Sequence, residues 1–202
     1  NRIIWERQQS NLIDSIVVFR ETTIAGVYDR VGAVPYQQTG LFVDAAADPS
    51  VRAWRYKLAA VDSCGALSLY SPLHKTIHLT INAGLNGSWN LIWDNYIGFH
   101  VSSYFIYRGT STTNMQLLTQ VPGNLNSFTD FNPPAGTVHY QIAIVKPNGC
   151  YPDSLFNKAK TNYNTSRSNS ANSSLLTPVY LTANFKANVT SGTWPIQVEF
   201  ND

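Results

Sequence analysis

The residues able to do chemistry in this 202-residue chain are few and scattered. Of its four histidines, only His74 and His78 lie close together, with His100 and His139 isolated. On a strand, a spacing of four keeps two side chains on one face, as a metal pair would need. The neighbouring apolar residues Ile77 and Leu79 claim the inward face, so the expected arrangement is a solvent-facing row. Asp44 and Asp130 occupy matching places in the two halves of the chain. Paired catalytic carboxylates must meet in one site, whereas these belong to separate halves. Their expected role is to bond backbone N–H groups of a turn. No Gly-x-Ser-x-Gly elbow, His-Glu-x-x-His helix or phosphate-cradling glycine loop occurs. The chain is therefore expected to be no enzyme, with no cofactor and no metal.

Cys64 and Cys150 also fall in matching places, and end-to-end domains would hold them far beyond the ~4.4–6.8 Å Cα separation of a disulfide. Both are expected as free thiols. Binding has a better candidate. Residues 95–99, Asn-Tyr-Ile-Gly-Phe, place Tyr96, Ile97 and Phe99 in a connection between strands. Such side chains stack on sugar rings or anchor a protein partner. They serve equally to seal a joint between domains, and both readings stand for these three residues. Asn86, Asn164, Asn172 and Asn188 each satisfy the N-glycosylation pattern, which agrees with surface exposure in a chain rich in Asn, Ser and Thr.

The elements that must position these residues come in duplicate. Trp5 and Arg20 recur 88 positions later as Trp93 and Arg108, with nothing inserted between them. Val18-Phe19-Arg20 reads against Ile106-Tyr107-Arg108, and Phe42-Val43-Asp44 against Phe128-Thr129-Asp130. Residues 56–61, Tyr-Lys-Leu-Ala-Ala-Val, read against 140–145, Tyr-Gln-Ile-Ala-Ile-Val. A period of this length suits a small all-β domain rather than a solenoid unit. Short alternating runs of Val, Ile, Tyr, Phe and Thr, bounded by Gly, Pro, Asn and Asp, predict strands throughout. In the second copy they fall at 76–81, 89–93, 103–108, 115–121, 127–130, 138–146 and near 161–167. Seven strands, each with one buried face, require two packed sheets.

Composition limits the partners. Only 13% of residues are charged and the net charge is +2, with no basic run interleaved with aromatics, so no nucleic acid is expected. No apolar stretch is long enough for a membrane span, and no membrane insertion is expected.

A Trp in the second strand, Tyr-x-Ile-Tyr-Arg in the third, and a Pro-x-Gly-x-x-x-Tyr corner before the sixth together resemble the fibronectin type III family. The resemblance covers both copies. It implies tandem immunoglobulin-like β-sandwiches with Trp5, Tyr56, Trp93 and Tyr140 in the cores, and each Tyr hydroxyl bonded back to the corner backbone. The first copy lacks residues for a first strand, and its corner, residues 48–52, lacks the glycine. The expected division is 1–74 and 75–169 as sandwiches, 170–177 as a linker, and 178–202 as a hairpin-like fragment resembling the opening of a PKD repeat. That combination resembles large bacterial secreted or cell-surface proteins. It implies an extracellular, non-catalytic structural or adhesive spacer whose partners are other domains of the same parent chain. The alternative is an accessory module binding carbohydrate or peptide for a secreted enzyme. A strand edge bared in the first copy, set against a strand-like tail, also raises self-association through the tail.

Overall fold

The computed structural model describes residues 1–7, 10, 12–152, 162–175, 186–187 and 200–201, with the backbone alone for 175 and beyond. The described chain is two antiparallel β-sandwiches in succession. In the first, β1 (Arg2–Ile4) pairs with β4 (Leu41–Val43). Facing this pair is a sheet of β3 (Tyr28–Pro35), β2 (Ile13–Glu21), β5 (Arg55–Asp62) and β6 (His74–Lys75), in that order. In the second, β7 (Leu79–Ala83), β8 (Trp89–Trp93) and β11 (Ser127–Asp130) form one sheet, with β8 central. The other runs β10 (Met115–Pro122), β9 (Ser103–Gly109), β12 (His139–Val145), with β13 (Thr165–Arg167) and β14 (Ala171–Asn172) lying one after the other along β12. Counting β13 and β14 as one interrupted edge, the second sandwich has seven strands in the fibronectin type III order. Among the described residues the first has the same order without a counterpart of β7.

Duplication extends to register. Val18 lies opposite Leu58 as Ile106 lies opposite Ile142, and Arg20 opposite Tyr56 as Arg108 opposite Tyr140. A β-bulge recurs as well: Val31 is skipped between Arg30 and Gly32 opposite β2, and Leu118 between Leu117 and Thr119 opposite β9. Both skipped residues turn into their cores, which re-aims a side chain as bulges do.

Each core follows from alternation along its strands. Leu91 and Trp93, Tyr104 and Ile106, and Tyr140, Ile142 and Ile144 are buried to 2% exposure or less. Ile77 and Leu79 close this core from the β7 side, each 1% exposed. Burying such a side chain contributes roughly 1.5–3 kcal/mol. The first core is smaller, with Val18, Ala47 and Tyr56 buried and Ile3, Trp5, Val31, Phe42, Trp54 and Leu58 packed around them half-buried. Trp93 is 2% exposed, whereas Trp5 is only half-buried.

Three local expectations are corrected. The first strand of the second sandwich begins at Leu79, because residues 74–76 are held by the first: His74 and Lys75 pair with β5, and Thr76 exchanges two hydrogen bonds with the backbone of Trp54. The Ser-rich stretch at 170–174 is no linker in its first half. Ala171 and Asn172 pair with β12, and the Ser173 hydroxyl accepts from Val138 N–H. The glycine-free corner closes through Asp48, whose carboxylate accepts from the N–H and hydroxyl of Ser50. His74 is exposed but His78 is half-buried, so the two do not form a solvent-facing row, and both bond across the joint described below. In the tail, Lys186–Ala187 pairs antiparallel with Phe200–Asn201, a hairpin-like contact. Asn188 and the rest of the PKD-like fragment lie outside the described residues.

Candidate functional site

Two constructions built from conspicuous residues are candidates: a polar knot repeated inside each sandwich, and the joint between them.

The knot is made by residues that share a strand end. Arg20 at the end of β2, Asp44 just after β4 and Tyr56 in β5 converge because β2 and β5 are hydrogen-bonded neighbours and β4 lies across the sandwich. Arg20 Nη1 donates to both Asp44 oxygens at 3.0 and 2.9 Å, the Tyr56 hydroxyl donates to Oδ2 at 3.0 Å, and Ala46 N–H donates to Oδ1 at 3.2 Å. The second copy repeats it: Arg108 Nη1 to Asp130 Oδ2 at 2.8 Å, the Tyr140 hydroxyl to Oδ2 at 2.7 Å, and Asn132 N–H to Oδ1 at 3.2 Å. Burial first, and then the carboxylate, push both phenols above their ordinary value of 10, although the hydrogen bond from Asn1 partly opposes this at Tyr56. Both therefore remain protonated donors. This corrects the tyrosine-corner expectation: each Tyr hydroxyl bonds to the duplicated Asp instead of the corner backbone. The Asp residues do bond turn N–H groups, but Arg and Tyr are their main partners. A carboxylate that accepts three donors while the arginine charge sits against it is a structural clasp. It has no free lone pair aimed at an open cavity, and the two copies lie in different sandwiches.

The joint gathers the second candidate set. Lys75 N–H donates to Ile97 C=O at 2.8 Å and Ile97 N–H donates to Lys75 C=O at 3.3 Å, so the last strand of the first sandwich pairs with the loop of the second. Lys75 Nζ reaches Asp94 Oδ1 at 3.1 Å. His74 Nδ1 lies 2.8 Å from the Tyr96 hydroxyl, and burial lowers this imidazole's pKa from its ordinary 6.5. Tyr96 and Phe99 meet ring to ring, with centroids 4.7 Å apart, and both pack on the second core. His78 Nε2 lies 3.0 Å from Ser50 C=O, across the joint. The two histidines thus face the opposite sandwich. Gly98, at φ +147°, permits the closest approach: a Cβ there would stand 2.3 Å from His74 Nδ1.

A second contact lies on the other side of the junction. Tyr151 N–H donates to Glu6 Oε1 at 2.9 Å, Gly40 N–H to Pro152 C=O at 3.4 Å, and Arg7 Nη2 to the same carbonyl at 3.3 Å. The buried Arg7 also donates through Nη1 to Tyr36 C=O. Sequence reading passed over Arg7, Glu6 and residues 151–152, because partners 145 positions apart leave no local periodic signal. Of the aromatic-loop trio, the structure brings Tyr96 and Phe99 onto the sandwich end and commits the Ile97 backbone to the joint.

Cys64 is exposed and Cys150 half-buried, and neither is in a disulfide. Burial and the nearby Glu6 raise the pKa of the Cys150 thiol, keeping it protonated. Among the described residues no group of three or more His, Cys, Asp or Glu could hold a metal ion, and no helix is long and apolar enough to cross a membrane.

No family model matches the chain, and no curated protein matches it. Solved structures similar to it include a pectate lyase, PelI from Erwinia chrysanthemi in complex with tetragalacturonic acid. That match has 17% identity and a TM-score of 0.37, and it covers 48% of this chain and 28% of the lyase. The chain is also similar to the chicken CNTN1 FN1-FN3 domains, at 12% identity, TM-score 0.34, and 78% and 55% coverage. The chicken interferon gamma receptor alpha chain matches at 11% identity, TM-score 0.30, and 85% and 89% coverage. The chain spans under a third of the length of the lyase. At TM-scores this low the fold assignment rests on strand order and register alone.

Proposed function

We propose that this chain is a non-catalytic, extracellular spacer module of a multidomain secreted protein, in which two fibronectin type III-like sandwiches hold their neighbours at a set separation. The observation that carries this reading is the joint. Paired backbone hydrogen bonds between Lys75 and Ile97, an ion pair from Lys75 to Asp94 and side-chain bonds from His74 and His78 span the two bodies with no flexible spacer. Adjacent domains move freely by default unless an interface restrains them, and here several short contacts do so. The aromatic side chains that suit a ligand platform, Tyr96 and Phe99, pack against the second core and also line a cavity of about 640 Å³ shared by the two sandwiches.

The accessory-module reading makes a different demand on the same residues, and a glycan and peptide array separates the two. The spacer reading expects no specific signal from the intact chain. Specific binding that disappears in Tyr96→Ala and Phe99→Ala would favour the accessory module instead.

A further inference from the structure

Two Asn-Gly steps occur in the chain, Asn86-Gly87 and Asn148-Gly149. This dipeptide carries its own reagents. The backbone nitrogen after an asparagine can attack the side-chain Cγ, and glycine, with no Cβ, leaves that approach uncrowded. The new N–C bond closes a succinimide ring. The amide proton goes to water or hydroxide, and the carboxamide nitrogen leaves as ammonia. Water then opens the ring: addition at the side-chain carbonyl gives aspartate, and addition at the main-chain carbonyl gives isoaspartate. The sum is asparagine plus water to acid plus ammonia, with no oxidant or reductant. In an unfolded chain the two steps are chemically alike, so the fold must distinguish them.

At the first step the fold leaves the reagents open to solvent. Asn86 (φ 55°, ψ 34°) and Gly87 (φ 80°) are the central residues of a type I′ turn that joins β7 to β8. Ser88 N–H donates to Leu85 C=O at 3.1 Å, and Gly84 N–H to Ser88 C=O at 2.8 Å. Both central residues are exposed, and the Asn86 carboxamide has no hydrogen-bond partner among the described residues. A Cβ at Gly87 would meet nothing within 4 Å, so water reaches the glycine from that side. The second step is covered. Gly149 is buried, its N–H donates to Lys146 C=O at 3.0 Å, and its C=O accepts from Lys146 Nζ. The Asn162 carboxamide lies against it. A Cβ at Gly149 would stand 2.0 Å from Asn162 Oδ1, which accepts from Cys150 N–H at 3.1 Å. The attacking nitrogen is engaged and screened there, so reaction must await local opening of the loop.

We propose that Asn86 is a site of spontaneous, enzyme-free conversion to aspartate and isoaspartate in the folded protein, while Asn148 is held back by its loop. The isoaspartate product has a structural consequence. It inserts a methylene carbon into the main chain of a turn with room for two residues, and it replaces a residue type that tolerates positive φ. The turn bonds at Gly84 and Ser88 then loosen, and with them the adjoining end of β7. The inference concerns the second sandwich alone and does not depend on the spacer reading.

The test incubates the full chain at mildly alkaline pH, folded and in urea, and follows both dipeptides by mass spectrometry, with isoaspartyl methyltransferase labelling to separate the two products. In urea both steps should convert at similar rates. In the folded chain Asn148 should be slowed by at least about tenfold relative to urea, and Asn86 by clearly less. Isoaspartate should form at residue 86 alongside aspartate, as a ring opened from two sides requires. Asn86→Gln, whose longer side chain has to close a larger ring, should abolish conversion at 86 and leave Asn148 as before. Amide exchange at Gly84 and Ser88 should be faster in the converted fraction, with Trp93 unchanged. The proposal is overturned if the folded chain protects Asn86 as strongly as Asn148, or if residue 148 converts as fast as residue 86. Aspartate at 86 without isoaspartate would also overturn it, because that product needs no ring. Unchanged exchange at Gly84 and Ser88 in the converted fraction would overturn its structural part.

Discussion

At the scale of single residues, the duplicated Arg–Asp–Tyr clasp is the strongest polar feature of either sandwich. Tyr140→Phe removes one donor to an ionised acceptor and leaves Arg108 and Asn132 in place. It is expected to cost about 1.5–3 kcal/mol, the range for a hydrogen bond to a charged group, read as a shift in the urea midpoint without change in slope. The clasp was half legible in the sequence. The recurrence of Asp44 and Asp130 marks them as paired features of one fold, but strand alternation does not reveal that a hydroxyl and a guanidinium from the facing sheet end on the same carboxylate. His74 adds a pH dependence. Although the residue is exposed, partial desolvation at the joint lowers its pKa in the folded protein, so the unfolded chain binds its proton more readily. The stabilisation is fully present above about pH 6.5 and is lost as pH falls through the folded value. Stability measured from pH 8 downward should therefore fall through this window, and His74→Gln should flatten that part of the profile.

At the scale of elements, the two tryptophans that anchor the repeat are not equivalent. Trp93 lies beneath β7 and is 2% exposed, while Trp5 is half-buried and lines a cavity. Trp93→Ala is expected to cost about 3–5 kcal/mol, as for a large buried aromatic, and Trp5→Ala clearly less, since part of its surface is already hydrated. Denaturant titration of the two variants checks the order; equal costs would mean that Trp5 is as fully buried in solution as Trp93. Strand phase was readable from alternation at β8, β9 and β12, where one face is apolar and the other polar. It failed where serine hydroxyls replace backbone groups in the ladder. Ser71 against Leu58 and Ser168 against Ile142 each exchange a side-chain and a backbone bond with the facing residue. Such an edge is short of apolar residues and rich in Ser and Asn, so it reads as linker. The start of β7 was misplaced for a related reason: residues 74–76 alternate with the strand that follows but bond to the sandwich that precedes.

At the scale of the whole molecule, the account depends on the joint. Its residues are drawn from distant parts of the chain, with Lys75 meeting Ile97 and Glu6 meeting Tyr151. Their coincidence was beyond a reading of local pattern. Gly98 is the position where the two bodies come closest to a single-atom test. Gly98→Ala puts a methyl 2.3 Å from His74 Nδ1 on a backbone conformation that favours glycine, and should loosen the joint while leaving both cores folded. The most direct measurement is backbone nitrogen spin relaxation on the intact chain, compared between β2 and β5 of the first sandwich and β9 and β12 of the second. A restrained spacer predicts one shared tumbling behaviour for both sets of strands, lost in Gly98→Ala. Separate, faster tumbling of each sandwich in the unaltered chain would contradict it.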